Sequence, residues 1–358
     1  MKILIAPLNW GLGHATRCIP LIRHYLAAGD EVVLGGDGES IMLLRHTFPA
    51  LRVIDLPSLE LHYTDNNQQR GFYLRTIPAL IRFTIADYYY LRQQLAIEHF
   101  DLVISDNRFG LFSRQTHCVY MTHQLYVQLP KRLKIFQPIA RALHACIYKR
   151  FNEVWVPDYA DPTNNLSGAL SHGGRFDRHA KYIGPLSRFS NLESGSRHPE
   201  KPTGLQKPEA EHPILAVLSG LEPQRTLFEQ ALIDRFKDST QPVLIVRGKI
   251  GGPATTTQIG AVTLVPHMND EQLVPLMLQA KKIIVRSGYS TIMDLSVLGL
   301  LSKAEFHPTP GQSEQEYLST LTFNLSSRHS APIFSPLGRS NTHLNKHAWL
   351  ALLFCRQP

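Results

Sequence analysis

Two segments of this chain hold residue types whose spacing suits chemistry. One covers residues 286–317 and reads Arg286-Ser287-Gly288-Tyr289-Ser290-Thr291-Ile292-Met293-Asp294, then, past a short apolar stretch, Pro308-Thr309-Pro310-Gly311-Gln312-Ser313-Glu314-Gln315-Glu316-Tyr317. An apolar run, Ile283-Ile284-Val285, comes just before it and a helical pattern opens within it. Free N–H groups of a new helix, with a glycine alongside, are a natural seat for a phosphate. Asp294, eight residues past Arg286, can accept hydrogen bonds from vicinal hydroxyls such as those of ribose. Gln312, Glu314, Gln315 and Glu316 crowd amides and carboxylates into one loop. Phosphate, ribose and a polyhydroxylated group, in that order, describe a nucleotide-sugar.

The second segment follows the first apolar run: Asn9-Trp10-Gly11-Leu12-Gly13-His14-Ala15-Thr16-Arg17. Gly11 and Gly13 allow a tight turn and close ligand approach, and His14 then stands at a helix N-terminus. The positive end of the helix dipole favours a neutral imidazole there. Such a histidine can act as a general base, contact substrate or simply cap the helix. A dinucleotide fingerprint needs a further glycine where Thr16 stands, so NAD binding is disfavoured.

The later turn Leu218-Ser219-Gly220-Leu221-Glu222-Pro223-Gln224-Arg225 repeats this logic. Ser219 and Gly220 suit a diphosphate cradle, with Arg225 as a cation for the leaving group; an ordinary capped helix is the alternative. Asp106-Asn107 and His123 end two predicted strands and face the same cleft. Asp106 can be a base, a ligand for an acceptor hydroxyl or a helix cap, and His123 has similar options. Residues 265–270 are placed to receive a nucleotide base. No Asp-x-Asp motif or His/carboxylate cluster has ligand spacing, so no metal and no bound cofactor is expected.

These residues need a scaffold that brings strand ends together. Apolar runs at residues 2–7, 31–35, 51–56, 101–105, 118–122, 154–158 and 181–185 read as strands. Helical patterns at 17–28, 41–46 and 69–98 lie between them. Residues 189–211 turn polar, rich in Ser, Glu, Lys, Gly and Pro, and read as a linker. A second alternation then runs from residue 212, with strands at 214–218, 243–246, 262–265 and 283–285 and helices at 224–236 and 270–279. A buried strand is expected near 300–306 despite Lys303 and Glu305. The expectation is α/β, with two doubly wound Rossmann-like domains, 1–188 and 212–340, facing across a cleft. Residues 341–358 form a last helix that packs back on the first domain.

Bulk properties bound the partners. With 358 residues and 18% charged side chains, the chain suits two globular domains, and no apolar run is long enough to span a bilayer. Four scattered cysteines, with no Cys-x-x-Cys pair, argue against a disulfide framework and for a cytoplasmic protein. The net charge of +8 is concentrated in the first half. From Tyr126 to Phe151 six Lys and Arg residues mix with apolar ones and no acid occurs. This stretch either docks on an anionic membrane surface, placing the protein on the inner face of the cell membrane, or is a core helix with a solvated basic face. No nucleic-acid motif accompanies the charge.

Taken together, the segments resemble the family-28 glycosyltransferases of the GT-B fold, over residues 2–321. That family includes the enzyme that adds N-acetylglucosamine to the lipid-linked peptidoglycan precursor. The Gly-Leu-Gly-His-Ala-Thr-Arg, Ser-Asp-Asn-Arg, Thr-His-Gln-Leu and Ser-Gly-x-Glu-Pro-Gln-Arg-Thr motifs are similar to those of a bacterial subgroup of such proteins. The resemblance implies that Asp294 is the ribose carboxylate, where the family commonly has Glu. It also implies that Gln315 and Glu316 contact the donor sugar, Glu316 standing where the family has an amide. The implied activity is a metal-independent, inverting hexosyl transfer from a nucleoside-diphosphate sugar, UDP-linked, to a glycan or lipid-linked acceptor of the cell envelope. The donor would be held by Ser219, Gly220, Arg225, Arg286, Ser287, Gly288, Asp294, Gln312, Gln315 and Glu316. His14 or Asp106 would supply the base, with Gly11, Gly13, Asn107 and His123 on the acceptor side. A nucleotide-sugar 2-epimerase and a non-catalytic nucleotide-sugar-binding protein are the alternatives.

Overall fold

Each half of the chain places its first apolar run at the centre of a sheet. In the first half β1 (Lys2–Pro7), β2 (Glu31–Gly36), β3 (Arg52–Asp55), β4 (Leu102–Asp106), β5 (His117–Met121), β6 (Glu153–Val156) and β7 (Ala180–Tyr182) pair in parallel in the order β3-β2-β1-β4-β5-β6-β7. The computed structural model describes residues 1–59, 69–129, 131–190, 213–220, 222–249 and 255–328. Alternate residues of β1 serve opposite faces: Ile3 and Ile5 pack with α1 (Leu12–Ala27) and α2 (Gly38–Thr47), Leu4 and Ala6 with α3 (Gln69–Ile97) and α4 (Gln137–Tyr148). A strand buried on both faces in this way needs a continuous apolar run, which is what Ile3-Leu4-Ile5-Ala6 supplies.

The second sheet contains β8 (Ile214–Val217), β9 (Val243–Val246), β10 (Thr257–Ile259), β11 (Val262–Val265), β12 (Lys282–Arg286) and β13 (Ala304–His307), ordered β10-β11-β9-β8-β12-β13. α5 (Gln224–Phe236) covers one face; α6 (Asp270–Gln279) and α7 (Tyr289–Val297) pack on the other, and α8 (Ser313–Arg328) follows. All pairs are parallel except β10 with β11. The short exposed hairpin strand β10 has no apolar run to announce it.

Among the boundaries that differ from the sequence reading, two bear on the site and on the sheet edge. α1 begins at Leu12, just after Gly11 at φ 81°, so His14 lies inside the first turn instead of ahead of the helix. The strand expected at 300–306 starts at Ala304, after a 3-10 turn at Leu301–Lys303, and it is the sheet's edge. An edge strand tolerates charge, and Glu305 bonds to Arg235 (2.7 Å) and His307 (2.6 Å). Most of the linker (from residue 191) and the helix expected within 341–358 lie outside the described residues.

The halves meet directly. Leu166 and Leu170 of the first share an apolar cluster with Tyr289, Ile292 and Met293 of α7 and Leu318 of α8. Tyr289 donates to Pro157 O (2.9 Å), Ser313 to Gln128 O (3.2 Å), and Ala169 N–H to the Tyr317 hydroxyl (2.8 Å). Above this floor lies a cavity of about 510 Å³, lined by both halves.

Candidate active site

In each sheet the first strand and a neighbour send their connections to opposite sides, β1 to β2 and β4 to β5, β8 to β9 and β12 to β13. Loops at the carboxyl ends part there and leave a crevice, so these two points should hold the ligand. At the first, Asp106 ends β4 opposite Pro7 of β1, and the first turn of α1 brings His14 above it. His14 Nδ1 lies 3.1 Å from Asp106 Oδ2. Arg17, one turn along α1 and 2% exposed, donates from Nε to the same oxygen at 2.8 Å and from NH2 to Oδ1.

Burial alone pushes the Asp106 carboxyl up, but Arg17 and His14 outweigh it and hold it at about 2. A fully buried, firmly ionised carboxylate clamped by a guanidinium is too weak a base for an alcohol. This weighs against Asp106 as the base and suits it to orienting its neighbour His14. Burial first, and the Arg17 charge second, lower the pKa of His14, leaving it neutral in ordinary conditions. The helix dipole, invoked from sequence, acts in the same direction.

Hydrogen positions follow from the partners' chemistry. Arg17 NH1 lies 3.0 Å from His123 Nδ1, and a guanidinium only donates. His123 Nδ1 is therefore the accepting nitrogen, and Nε2 carries the hydrogen that meets Glu314 Oε1 at 2.6 Å. His123 is thus a donor across the cleft, stacked on Tyr289 at 4.3 Å and 2°, and has no free nitrogen for a base. His14 Nδ1 has two suitors, Asp106 at 3.1 Å and Arg17 NH2 at 2.8 Å. The hydrogen on Nδ1 gives a bond to Asp106 and frees Nε2 as a base; the hydrogen on Nε2 makes Nδ1 accept from Arg17.

The second crevice is built from backbone. α7 begins after Gly288 with no side-chain cap and no acidic residue in its first turn, and α1 begins after Gly11 in the same manner. These two N-termini converge: Ser290 Oγ donates to Gly13 O at 2.8 Å. A methyl on Gly13 would stand 2.9 Å from Ser290 Oγ, so this approach requires glycine. Two positive helix ends with no acidic residue in their own first turns favour an anion.

His14, Gly11, Gly13, Asn107 and His123 line the cavity from the first half; Ser219, Gly220, Gly288, Asp294, Gln312 and Gln315 line it from the second. Asn107, at φ 58°, accepts from the Tyr120 hydroxyl at 3.1 Å, and its loop is fixed by fully buried Arg108, bonded to Asp37 and Asp87. Asp294 accepts from Ser187 Oγ at 2.5 Å, and burial raises its pKa to about 6.

Four expected donor contacts fall elsewhere. Arg225 turns its guanidinium to Glu222 (3.0 Å) and Gly248 O (3.1 Å). Arg286 donates to Pro308 O (2.9 Å) and Gln224 O (3.1 Å) and lies 4.0 Å over the Phe228 ring. Ser287 is fully buried and donates to Gln315 O at 2.8 Å. These three hold the crevice loops in shape. Glu316 is exposed on α8, while Glu314, two residues earlier, faces the cavity. One turn of loop before Ser313 decides which carboxylate points inward, and side-chain type alone did not reveal it. Arg17 also escaped the sequence reading; its signal is the three-residue spacing from His14 on one helix face. Among the described residues no group of His, Cys, Asp and Glu could hold a metal ion.

No family model matches the chain. A relative in Methanosarcina mazei, described as an uncharacterized glycosyltransferase, is 24% identical over 333 residues, 88% of this chain and 82% of the relative. Among solved structures, the glycosyltransferase SnogD from Streptomyces nogalater is 13% identical with a TM-score of 0.53, covering 99% of this chain and 100% of its own. Arabidopsis thaliana UGT89C1, complexed with UDP-L-rhamnose, is 14% identical with a TM-score of 0.51, covering 90% and 82% respectively. The architecture is the GT-B fold: two parallel-sheet Rossmann-like domains facing across a cleft.

Proposed function

We propose that the chain is a metal-independent, inverting glycosyltransferase that moves a sugar from a UDP-linked donor to a hydroxyl acceptor. The observation that carries this reading is the convergence of two uncapped helix N-termini beside a neutral histidine in one cavity. The diphosphate would take the N–H groups at the start of α7, with Ser219 and Gly220 opposite. Asp294 would accept from the ribose, and Gln312, Glu314 and Gln315 from and to the sugar. His14 Nε2 takes the acceptor's proton while Nδ1–H is held by Asp106. The acceptor oxygen then bonds to the anomeric carbon as the bond to the diphosphate oxygen breaks. The electron pair leaves on the diphosphate, stabilised by the helix ends. The name of the archaeal relative and the nucleotide-sugar bound by UGT89C1 support this reading.

The acceptor half of the cavity is apolar, with Trp10, Leu80, Phe109, Val127 and Leu129 on its wall, which suits a hydroxyl carried by an apolar body such as a lipid-linked glycan. Outside it, α4 packs one side on the core and leaves apolar residues of its other side exposed. Its buried side is His144, Ala145 and Tyr148, while Ile139 and Leu143 are exposed, as are Ile81 and Ile85 of neighbouring α3. Exposed Lys134, Lys149, Arg150 and Arg82 accompany them. An anionic membrane surface at the inner face of the cell membrane is the matching partner. Among the described residues no helix is long and apolar enough to cross a membrane.

The test is transfer from a panel of nucleoside-diphosphate sugars to lipid extract, with wild type and His14→Gln compared. Transfer by the wild type and its loss in the variant is the expected result. Equal turnover by both removes His14 as the base, and donor turnover without any acceptor removes the transferase. Co-sedimentation with phosphatidylglycerol vesicles, but not with neutral ones, is expected for the membrane partner.

A further inference from the structure

Arg17 touches both the histidine–carboxylate pair of the first domain and the residue that ties it to the second. Its Nε and NH2 hold Asp106, NH2 reaches His14 Nδ1 at 2.8 Å, and NH1 reaches His123 Nδ1 at 3.0 Å. His123 passes the contact on to Glu314 Oε1, and Gln124 Nε2 donates to the other oxygen of the same carboxylate. Cys18, whose Sγ is 3.9 Å from Asp106 Oδ2, Tyr289, stacked on His123, and the buried Tyr120 hydroxyl, close enough to feel the Asp106 and Arg17 charges, are also packed here. A chain of contacts, buried at Asp106, Arg17 and His123, thus runs His14–Asp106–Arg17–His123–Glu314 from one domain into the other.

From this geometry we infer that Arg17 is a positioning residue that assembles the base only together with the interdomain contact at Glu314. The inference rests on the transferase reading for its role in turnover, but its structural part stands without it. A fork of donors is essential. One edge clamps the carboxylate that orients His14, and the third nitrogen fixes which nitrogen of His123 bears hydrogen, so that His123 can only donate to Glu314. Glu314 faces the cavity where the donor sugar would lie. Seating of the second domain therefore draws on the same guanidinium that orders the base. A lysine keeps the charge but has no fork.

The test uses the full chain and three variants whose folding is checked by thermal melting. Arg17→Lys should raise the donor KM about tenfold, as loss of a charge-assisted contact does, and leave the acid limb of the pH–rate profile in place. Arg17→Gln should raise the donor KM similarly and also move the acid limb to higher pH, because a cation next to His14 is gone. His123→Phe keeps the stack on Tyr289 and should raise the donor KM alone. A merely structural arginine would move neither limb nor donor KM once the variants are folded, and that result overturns the inference. Nitrogen-15 spectra of labelled histidine separate this outcome from failure of the transferase reading. Hydrogen on Nε2 of His123 in the wild type, disturbed in Arg17→Lys, supports the positioning role even in a chain that transfers nothing. Hydrogen on Nδ1 in the wild type overturns it whatever the activity.

Discussion

The two crevices share a topology and solve it in opposite ways. At β1/β4 the crevice is filled by charged and polar side chains: a buried, ionised Asp106, a buried, clamping Arg17 and a half-buried, neutral His14. At β8/β12 it is lined by glycine, serine and the start of a helix, while Arg225 and Arg286 are turned away to hold loops. A site that must move a proton needs side chains with tuned basicity, whereas a site that must hold a diphosphate can use backbone N–H groups that never titrate. Under the proposed function the contrast corresponds to chemistry in the first crevice and binding in the second.

The largest effect expected from breaking this division lies in the first crevice. His14→Gln should lower kcat by about 100- to 10,000-fold while leaving donor affinity within about twofold, read by steady-state kinetics and calorimetry. Next comes the contact between the crevices. Gly13→Ala forces a methyl to 2.9 Å from Ser290 Oγ, and a displacement there should slow turnover by about 10- to 100-fold. Adding Ser290→Gly should restore most of it, a rescue that kinetics on the double variant checks.

Asp294→Asn acts within the second crevice and should weaken donor binding about tenfold. Burial holds this carboxyl at about 6, and ribose hydroxyls donate best to its charged form, so donor affinity of the wild type should rise as pH increases through about 6. The variant should show no such rise in calorimetry across that range. Smallest in function is Arg286→Met: donor affinity within about twofold of wild type, but a stability loss of about 1–3 kcal/mol by denaturant titration, because two buried carbonyls lose their donor. A large loss of affinity there would erase the contrast between the two crevices.

Much of the fold was legible because parallel strands buried on both faces leave unbroken apolar runs, as at Ile3-Leu4-Ile5-Ala6 and Ile283-Ile284-Val285. The hairpin strand β10 was not, since an exposed edge of three residues carries no such run. In the site, glycine turns after strands marked both crevices. What sequence could not supply was side-chain direction. Arg225, Arg286 and Glu316 have the right types for a diphosphate and a sugar but point to protein or solvent, and Glu314 and Arg17 face inward instead. The Arg17 guanidinium, which sequence did not place beside Asp106, also weighs against Asp106 as a base, since a carboxylate held by a guanidinium loses the basicity that its position suggested.

The central claim, a nucleoside-diphosphate site made by converging helix ends, is tested most directly by calorimetric titration with UDP, GDP and TDP. The account predicts saturable binding of one nucleotide per chain, UDP tightest, and preserved in His14→Gln. Absence of binding by all three nucleotides contradicts it.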